Sequence, residues 1–592
     1  MVAKEGNRDL DVLVVGAGPT GLILALELAR RGLHFRIIDK ADGPSTTSKA
    51  LAIHSRSLEV LENMGVVEKF LKRGVELHSV NVFAEGKRIA HFTFDELDSS
   101  YPFALSIPQN ITEEILVEEL RNRGIEVERN KELLELENDS RSVNAKLKDK
   151  SGDLEEIKAS WLVGADGAHS AVRHQLGLAF QGEKYPETWI LGDVKAECEM
   201  AEDEINLYNS EEGLLAFFPY GGKRFRVVAD LEQSKETPVP EKTFTEYSPP
   251  SLDEIQEAVD KRCPTKATLS DPKWTSSFSI HRRHVSQYRV KRVFLAGDAA
   301  HIHSPAGGQG MNTGMQDSFN LGWKLALAVN GLVKSEFLDS YSEERLAIAL
   351  DVLQMTDFIT RVNTVRNPLA RHLRNKLAPL LSAQEVIQKR VRVQVSELAL
   401  NYKRSSIVEE DFPNMLGSVA ASAALSSGPG LHNLIDFKNG PPAGERAPDG
   451  FLTLAYTEET GRLYDILKQT NGHTLLIFPG PQKNTDSIVD QIKKIDTLTR
   501  SGTNLLIKMV TVLAEEGDRE RFKSLEELSE HEVISDFEQS LHHAYGAAGD
   551  CLYLIRPDGY IGYRCQPINA DKLSAYLDRH FLNNEVIRIA SV

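Results

Sequence analysis

Short apolar runs open the chain and alternate with stretches of helical spacing. Leu10–Val15 is almost continuously apolar, which predicts a strand buried on both faces of a parallel sheet. Apolar residues then recur at helical intervals to about Arg31, and Gly32 ends the pattern. Phe35–Ile38 predicts a second strand, which Asp39 closes. The chain therefore opens on a complete βαβ unit.

The pattern changes after this unit. Strand-like alternation in 75–108 and 187–280 predicts one inserted sheet, whereas 336–400 has helical spacing. Frequent proline and glycine indicate a surface linker, and strands then alternate with helical runs up to the turn Arg556–Gly559 and a terminal hairpin. The predicted parts are a nucleotide-binding domain at 1–186 and 281–400 with a helical end, the sheet at 75–108 and 187–280, the linker at 401–446, and an α/β domain at 447–592.

A glycine-rich loop joins the first strand to the first helix. Gly16 allows a tight turn, Gly18 lets the backbone approach a pyrophosphate, and Gly21 lets the helix pack close to the strand. The helix N-terminus offers unpaired N–H groups to phosphates, and Asp39 is placed to accept hydrogen bonds from ribose hydroxyls. A GxGxxG alone is weak evidence, but here strand, loop, helix, strand and acid occur in order. The segment therefore predicts a dinucleotide site.

Two further motifs follow apolar strands. Asp166-Gly167 comes after Trp161–Val163 and near a helix start, which suits a second contact with phosphates. Gly297-Asp298 comes after Val293–Ala296, so that Asp298 can meet a hydroxyl-bearing chain. A glycine-rich turn then opens a helix predicted to start near Asn312. A loop of small residues has no reason to accompany the first two motifs, and the three together predict one ligand site.

Composition narrows the classes of function. The chain has 592 residues, enough for several domains, and a net charge of −17, which argues against a nucleic-acid partner. No apolar stretch is long enough for a membrane span. The four cysteines are scattered without a CxxC pair, which argues against a disulfide framework or a zinc site and favours a location in the reducing cytoplasm. His301 and His303 lack a convincing metal-site spacing, so no metal is predicted.

The three motifs together resemble the fingerprints of the group A flavoprotein monooxygenases, aromatic hydroxylases built like p-hydroxybenzoate hydroxylase. The resemblance covers roughly residues 8–405 and includes Arg56–Glu59, Pro108-Gln109 and Tyr341–Arg345. The tail from about 447 looks like the thioredoxin-like domain of phenol hydroxylase and of aromatic polyketide hydroxylases. The implied fold is α/β: a Rossmann-type FAD-binding domain with an inserted β-sheet substrate domain, plus a C-terminal thioredoxin-like α/β domain. Without a CxxC this last domain has no dithiol chemistry, and packing or homodimerisation is its favoured role.

The resemblance implies FAD contacts in all three motifs. The adenosine and pyrophosphate contacts are Gly16, Gly18, Gly21 and Asp39. The phosphate and ribityl contacts are Lys49, Gln109, Asp166, Gly167, Gly297 and Asp298. The isoalloxazine contacts are Pro305, Gly308, Gly310, Met311 and Asn312. The helix after the third motif would face the pyrimidine edge of the ring and stabilise the negative charge of reduction.

The resemblance also implies a reaction. NADH or NADPH reduces FAD, O₂ adds to give a flavin C4a-hydroperoxide, and this hydroxylates a phenolic or polycyclic aromatic substrate. The sequence contains no second dinucleotide motif. This agrees with the resemblance, because NAD(P)H docks only transiently in this family and has no Rossmann domain of its own. The choice between NADH and NADPH stays open. Baeyer–Villiger oxidation or epoxidation on the same scaffold also stays open. A flavoprotein reductase and a non-catalytic FAD-binding protein are less favoured alternatives.

Two positions depart from the family pattern. Lys49 stands where arginine is usual, which keeps the charge but loses the bidentate fork. Leu51 stands where some phenol-hydroxylating relatives carry an acidic residue or a histidine, so the usual base is missing. An already acidic substrate, such as a hydroxyquinone or a polyketide phenol, fits better. His54, Tyr220 and His281 are candidate proton-handling groups named for their regions, and a structural role is the stronger interpretation for each.

Overall fold

The chain divides into two compact units. The computed structural model describes residues 10–582 except 47, 232–247, 306, 366, 413–430, 455–459, 481–484, 502–505, 515–517 and 526–530. The first unit comprises Met1–Phe319 and Arg345–Ala399, and the second comprises Asn320–Glu344 and Leu400–Val592.

The first unit is a mixed α/β structure. Its strands, in chain order, are β1 (Leu10–Val15), β2 (Phe35–Asp39), β3 (Ala52–Ile53), β4 (Val75–Leu77), β5 (Ser79–Ala84), β6 (Lys87–Thr93), β7 (Ala104–Ser106), β8 (Glu128–Arg129), β9 (Glu132–Asn138), β10 (Val143–Lys148), β11 (Leu154–Gly164), β12 (Gln181–Glu197), β13 (Glu204–Ser210), β14 (Gly213–Pro219), β15 (Arg224–Leu231), β16 (Thr268–His284), β17 (Arg289–Val290), β18 (Val293–Leu295) and β19 (His301–Ile302).

Helices surround these strands, and two of them contribute residues to both units. They are α1 (Pro19–Arg30), α2 (Ser55–Asn63), α3 (Val67–Leu71), α4 (Gln109–Asn122), α5 (Ala171–Gln175), α6 (Leu252–Arg262), α7 (Gln309–Val329), α8 (Asp339–Asn363), α9 (Pro368–Ser382) and α10 (Glu385–Val395). The shared helices are α7 and α8.

A mixed sheet with a parallel centre places the sequence motifs of the first unit, and its edge strand β17 is antiparallel to β18. Its strand order is β17-β18-β11-β1-β2-β8, with β10 and β9 continuing from β11 as antiparallel neighbours. The strand β1 runs parallel to both β2 and β11, and β18 runs parallel to β11. Parallel strands end at the same edge, so the segments that follow β1, β2, β11 and β18 meet there.

A second sheet carries the predicted insertion. Its order is β19-β16-β12-β15-β14-β13-β5-β6, in which β13 and β5 pair in parallel. Strands β5 and β6 of the first predicted stretch therefore share a sheet with β12–β16 of the second. The prediction of one sheet was wrong for β4 and β7, which pair with each other instead, and β7 also pairs with β3. Helix α6 packs on this sheet, with Ile255 and Val259 buried against Val194 and Phe217. A small third sheet has the order β3-β7-β4.

The second unit is built on one mixed sheet. Its strands are β20 (Glu409–Asp411), β21 (Phe451–Leu454), β22 (Thr460–Arg462), β23 (His473–Phe478), β24 (Ile507–Leu513), β25 (His531–Ser535), β26 (Cys551–Ile555) and β27 (Ile561–Cys565). Its own helices are α11 (Leu431–Asn439), α12 (Leu463–Leu467), α13 (Thr485–Ser501), α14 (Asp518–Arg521), α15 (Ser540–Tyr545) and α16 (Ala570–His580). The strand order is β20-β27-β26-β23-β24-β25-β21-β22.

This sheet has a hydrophobic core on each face. Leu475 and Ile477 of β23 belong to one core, and Leu476 and Phe478 belong to the other. Successive residues of a strand point to opposite faces, so a strand covered on both sides reads as a continuous apolar run. That is why β23 is continuously apolar from Leu475 to Phe478.

Several predicted features can be placed in the second unit. The turn Arg556–Gly559 joins β26 to β27, and the Gly559 N–H donates to the Arg556 carbonyl over 2.9 Å. Within the predicted linker 401–446, β20 pairs with β27 and α11 forms, whereas 413–430 lie outside the described residues.

None of the described helices combines the length and apolar content that a membrane crossing requires. The described side chains also include no cluster suited to hold a metal ion.

Candidate functional site

The glycine loop between β1 and α1 packs against the segment that follows β11. A Cβ atom on Gly16, whose φ is +105°, would lie 2.3 Å from the Ala165 carbonyl oxygen. A Cβ on Gly21 would lie 1.9 Å from the Gly16 carbonyl oxygen. At Gly18 no atom lies within 4 Å of the added Cβ. Two glycines therefore permit close packing, and the third leaves open space beside the backbone.

The start of α1 is free to bind an anion. Gly18 is its N-cap and makes no side-chain cap, and Pro19 occupies the first turn. The first N–H groups of a helix have no intrahelical acceptors and carry partial positive charge. An anionic group approaching through the open space at Gly18 would meet them directly.

Asp39 lies beside this loop at the end of β2. Its Oδ2 accepts from the Ala17 N–H over 2.6 Å, and its Oδ1 accepts from the Ala41 N–H over 2.8 Å. Arg129 lies 3.8 Å from the same carboxylate. The acid predicted from the sequence thus borders the glycine loop and fixes its backbone.

Asp166 follows β11 at the same edge. Its Oδ2 accepts from the Ala171 N–H over 2.7 Å and from the Val172 N–H over 3.2 Å, which ties it to the start of α5. Its Oδ1 is buried and has no hydrogen-bond partner among the described residues. Burial raises the pKa of this carboxyl, while the hydrogen bonds to Oδ2 oppose the rise. Gly167, with φ of +79°, leaves open space beside it. A buried, unsatisfied oxygen is costly unless a ligand completes it.

Gly297 and Asp298 form a short 3-10 turn after β18. A Cβ on Gly297 would lie 2.5 Å from the Thr20 hydroxyl, and one on Gly314 would lie 2.4 Å from it. The third motif and α7 are therefore in contact with the first turn of α1. Asp298 is exposed to solvent. The surrounding protein nevertheless desolvates its carboxyl and raises the pKa, and this effect outweighs His301 and Lys49, which lower the pKa.

Helix α7 begins at Gln309, three residues before the predicted start near Asn312. The predicted start was wrong because the glycine-rich turn was expected to continue to Asn312. In the structure the turn ends at Gly308, whose φ is +66°, and the helix begins directly after it. Gly310, Met311 and Asn312 therefore occupy the first turn of the helix, and Pro305 is exposed before it. The N–H groups of this first turn have no acceptors within the helix.

Asn312 joins this turn to β3. Its Nδ2 donates to the carbonyls of Ala52 over 2.9 Å and of Gly308 over 2.8 Å. Its Oδ1 accepts from the His54 N–H over 2.9 Å. The side chain is fully buried, so all three bonds are shielded from water. Asn312 thus holds the glycine turn rigidly against the His54 segment.

His54 supports the same turn from its ring. Its Nε2 lies 2.7 Å from the Gly307 carbonyl, so this nitrogen carries the proton and donates. Burial lowers the pKa of His54 to about 4 despite that hydrogen bond. The ring is therefore neutral near pH 7 and serves as a structural donor, which agrees with the stronger of its two interpretations.

Two of the phosphate and ribityl candidates, Lys49 and Gln109, belong to segments that contact each other. Gln109, at the start of α4, accepts from the Ala50 N–H through Oε1 over 3.1 Å and donates to Glu113 over 2.9 Å. Lys49 is exposed immediately before Ala50. No described contact joins Gln109 to the glycine loop. Its bonds instead fix the segment that presents Lys49.

Arg226 was missed by the sequence reasoning. This buried guanidinium on β15 donates to the Ser48 carbonyl over 2.6 Å and to the Lys49 carbonyl over 3.1 Å. Asp193 on β12 holds it through two bonds of 2.8 Å and 2.9 Å. Arg226 is separated from Ser48 by 178 positions, so no local pattern could show the pairing. The inserted sheet thus holds the Lys49 segment in place.

A second missed network lies under the third motif. Asp317 on α7 accepts from the Gly297 N–H over 2.9 Å, from His301 Nε2 over 2.8 Å and from Arg345 Nε over 2.7 Å. All these side chains are buried. The charges of Arg345 and His301 lower the pKa of Asp317 against the opposing effect of burial. The ionised carboxylate therefore locks the Gly297 turn to α7.

Tyr220 and His281 lie on the inserted sheet. The pKa of Tyr220 is raised by burial and by the charge of Asp193, and that of His281 is lowered to about 4 by burial, Arg283 and Lys184. Tyr220 is thus near the Arg226–Asp193 pair. No described contact brings either residue to the glycine loop, and their proposed proton handling stays a prediction.

Comparison with known proteins gives consistent results. The family described as "FAD binding domain" matches residues 9–356. A pentachlorophenol 4-monooxygenase from Sphingobium chlorophenolicum is 31% identical and is aligned over 97% of each chain. A 6-methylpretetramide 4-monooxygenase from Streptomyces rimosus is 38% identical over 67% of this chain and 70% of its own.

The solved structures agree with the sequence matches. An anhydrotetracycline hydroxylase from Streptomyces rimosus superposes with a TM-score of 0.69 at 26% identity, covering 97% of this chain and 99% of its own. The similarity therefore extends over both compact units.

Proposed function

This chain belongs to the FAD-binding-domain family of FAD-dependent aromatic monooxygenases, and on that premise we propose that it uses NAD(P)H and O₂ to hydroxylate a phenolic or polycyclic aromatic compound. One observation carries the proposal. The carboxyl ends of neighbouring parallel strands gather Gly16, Asp39, Asp166 and Gly297 at a single edge of the sheet.

The residues at this edge fit FAD. The uncapped start of α1 and the open space at Gly18 suit a pyrophosphate, and the orphaned Asp166 Oδ1 requires a donor. The exposed Asp298 carboxylate suits the hydroxyls of a ribityl chain. We assign Gly16, Gly18, Gly21 and Asp39 to the adenosine and pyrophosphate, and Lys49, Gln109, Asp166, Gly167, Gly297 and Asp298 to the rest of the phosphate and ribityl contacts.

The isoalloxazine is assigned to the turn before α7 and to the first turn of that helix. The assigned residues are Pro305, Gly308, Gly310, Met311 and Asn312. Asn312 holds this turn against Ala52 and His54, so its N–H groups stay aligned. Aligned N–H groups with partial positive charge stabilise the negative charge that reduction places on the pyrimidine edge.

When bound, FAD accepts a hydride from NAD(P)H and activates O₂ for transfer of one oxygen atom to an electron-rich ring carbon. The balance is one aromatic, one O₂, one NAD(P)H and one proton giving hydroxylated aromatic, NAD(P)⁺ and water. The protein positions the partners and excludes water, because a wet site would release hydrogen peroxide. The buried apolar side chains of Leu51 and Met311 suit that exclusion.

We assign the substrate to the side of the ring that faces the inserted sheet at 75–108 and 187–280. Leu51 offers no base there, and His54 is engaged with Gly307, so the substrate must supply its own phenolate. Acidic hydroxyquinones and polyketide phenols meet this requirement. The names of the relatives, which include pentachlorophenol and 6-methylpretetramide, support an aromatic substrate class.

We also propose that the enzyme is cytoplasmic and forms a homodimer. The cysteines support the first point, because Cys551 and Cys565 are free thiols in the fold and burial raises the pKa of Cys565 to about 12. Sedimentation of the purified protein would test the second point.

Oxygen labelling tests the proposed reaction. The purified flavoprotein is given NAD(P)H, ¹⁸O₂ and a panel of phenols, hydroxyquinones and polycyclic phenols, and products are analysed by mass. Incorporation of one ¹⁸O atom into a ring hydroxyl supports hydroxylation. A lactone product would indicate Baeyer–Villiger oxidation instead of hydroxylation, and an epoxide product would indicate epoxidation. Label that enters the product only from H₂¹⁸O would overturn all of these oxygenation reactions.

A further inference from the structure

Helix α9 carries an exposed apolar stripe. Leu369 exposes 78% of its surface and Leu380 exposes 67%, and three more exposed leucines lie between or beside them. The five are Leu369, Leu373, Leu377, Leu380 and Leu381. Their spacing places them on one face of a helix. Single exposed leucines are ordinary, but a stripe on one helix marks an interaction surface.

The opposite face of α9 is polar and holds the helix to the first unit. Arg374 Nη1 donates to the Val362 carbonyl over 3.0 Å, and Asn375 Nδ2 donates to Glu85 over 2.9 Å. Ser382 Oγ donates to the Ile89 carbonyl of β6 over 3.4 Å. No residue of α9 is buried. The helix is therefore anchored by polar contacts while its leucines point outward.

The sequence that carries the stripe is basic. From Asn367 to Val395 the sequence contains six Lys and Arg residues and one Glu, in a chain whose net charge is −17. Some of these cations pair within the protein, as Arg371 does with Glu211. Lys376, Lys389 and Arg390 are exposed, and no ion pair to any of them occurs within the described part of the chain. Their charge is therefore available to a partner.

We propose that α9, together with Lys389 and Arg390 in the middle of α10, docks on an anionic lipid surface. An amphipathic helix with leucines on one face and cations at its flanks lies in the interface of such a membrane, with the apolar face in the acyl boundary. Lys376, Lys389 and Arg390 then meet the anionic headgroups, which attract each cation near the surface. An anionic membrane offers an apolar layer that matches the leucine stripe and a negative charge that matches the three cations.

A second copy of the chain fits the same surface less well. A two-fold dimer buries the same patch on both protomers, so it would bring the unpaired cations of one stripe against those of the other. Like charges in a low-dielectric interface repel. The lipid surface avoids this repulsion, and the proposal does not depend on the reaction at the FAD site.

Vesicle co-sedimentation of the full-length flavoprotein tests the proposal. The vesicles contain phosphatidylcholine alone or mixed with phosphatidylglycerol. The wild-type protein is expected to bind the mixed vesicles and to be released by salt. Replacing both Leu373→Ser and Leu380→Ser is expected to weaken binding by roughly tenfold or more, because their apolar surface no longer enters the acyl boundary.

The basic residues are tested separately. The triple variant Lys376→Gln, Lys389→Gln and Arg390→Gln is expected to lose about fivefold per cation, or roughly a hundredfold in all. Leu154→Ser, at an exposed leucine on β11, is the matched control and should bind as wild type does. All substituted positions are exposed, so thermal unfolding of each variant should match wild type.

Three results would overturn the proposal. The first is equal or absent binding of the wild type to the two kinds of vesicle. The second is unchanged binding of the leucine and cation variants. The third is a wild-type dimer that Leu373→Ser with Leu380→Ser converts to monomer in sedimentation velocity, which would assign the stripe to a second copy.

Discussion

The glycines of the first loop differ in what surrounds them. A Cβ added at Gly16 would lie 2.3 Å from a backbone oxygen, and one added at Gly21 would lie 1.9 Å from another, so only glycine fits at these two positions. No atom lies within 4 Å of a Cβ added at Gly18. The first two serve the packing of strand against helix, and Gly18 serves access to the helix N-terminus. Substitution should therefore separate folding from cofactor binding.

Gly21→Ala is expected to give unfolded or colourless protein, because its methyl group overlaps the Gly16 carbonyl. Gly18→Ala should fold with a Tm near that of wild type and bind FAD about tenfold or more weakly, a loss of about 1.4 kcal/mol. Flavin fluorescence titration of the apoprotein measures the affinity. Wild-type affinity in Gly18→Ala would show that the pyrophosphate does not pass there.

His54 links one residue to the stability of the protein at acid pH. Its pKa is lowered by burial from an ordinary value of 6.5 to about 4, so the unfolded chain takes up this proton at a higher pH than the folded chain does. The stabilising contribution is complete above about pH 6.5 and is lost as the pH falls from there to about 4. It amounts to roughly 3 kcal/mol.

His54→Gln keeps an N–H donor for Gly307 but removes the titration. Between pH 6.5 and 4.5 its free energy of unfolding should fall less steeply than that of wild type, by about 1.4 kcal/mol per pH unit. Urea unfolding at several pH values measures the slope. The exposed His34→Gln serves as control, and equal slopes for His54→Gln and wild type would contradict the assignment.

At the scale of elements, α7 is locked to the Gly297 turn by one buried carboxylate. Asp317 accepts from Gly297, His301 and Arg345 at the same time. Removing its charge breaks the buried ion pair with Arg345, and such losses cost about 3–5 kcal/mol.

Asp317→Asn should therefore lower the Tm strongly and release FAD more readily, because the turn bearing Asp298 loses its anchor. Thermal unfolding followed by flavin fluorescence reports both effects. Asp351→Asn, at an exposed carboxylate of α8, is the matched control. A Tm of Asp317→Asn equal to that of the control would show that the network does not hold the turn.

The elements also show what the sequence could predict. The strands β1 and β18 were predicted within one residue because strands buried on both faces are continuously apolar. The start of α7 was misplaced because a positive φ at Gly308 is a backbone property that spacing does not reveal. Contacts such as Arg226 with Ser48 join residues 178 positions apart, and only the folded chain brings them together.

Over the whole molecule, two compact units divide the chain. In the second unit, Arg556 donates to both oxygens of Glu344 over 2.7 Å and 2.9 Å, and Trp323 donates to Asp558 over 3.1 Å. The sequence predicted a turn at Arg556–Gly559 but not these buried partners. The thioredoxin-like character of this unit stays a prediction, because a sheet with two covered faces is common to many α/β folds.

The central claim is that the gathered motifs hold FAD for the hydroxylation of an acidic aromatic compound. It is tested most directly by steady-state NAD(P)H oxidation with simple phenols, hydroxyquinones and polycyclic phenols, with product and hydrogen peroxide measured together. We expect one acidic class to accelerate oxidation and the hydroxylated product to match the NAD(P)H consumed, with little peroxide. Oxidation that no aromatic accelerates, or that yields only peroxide across the panel, would contradict it.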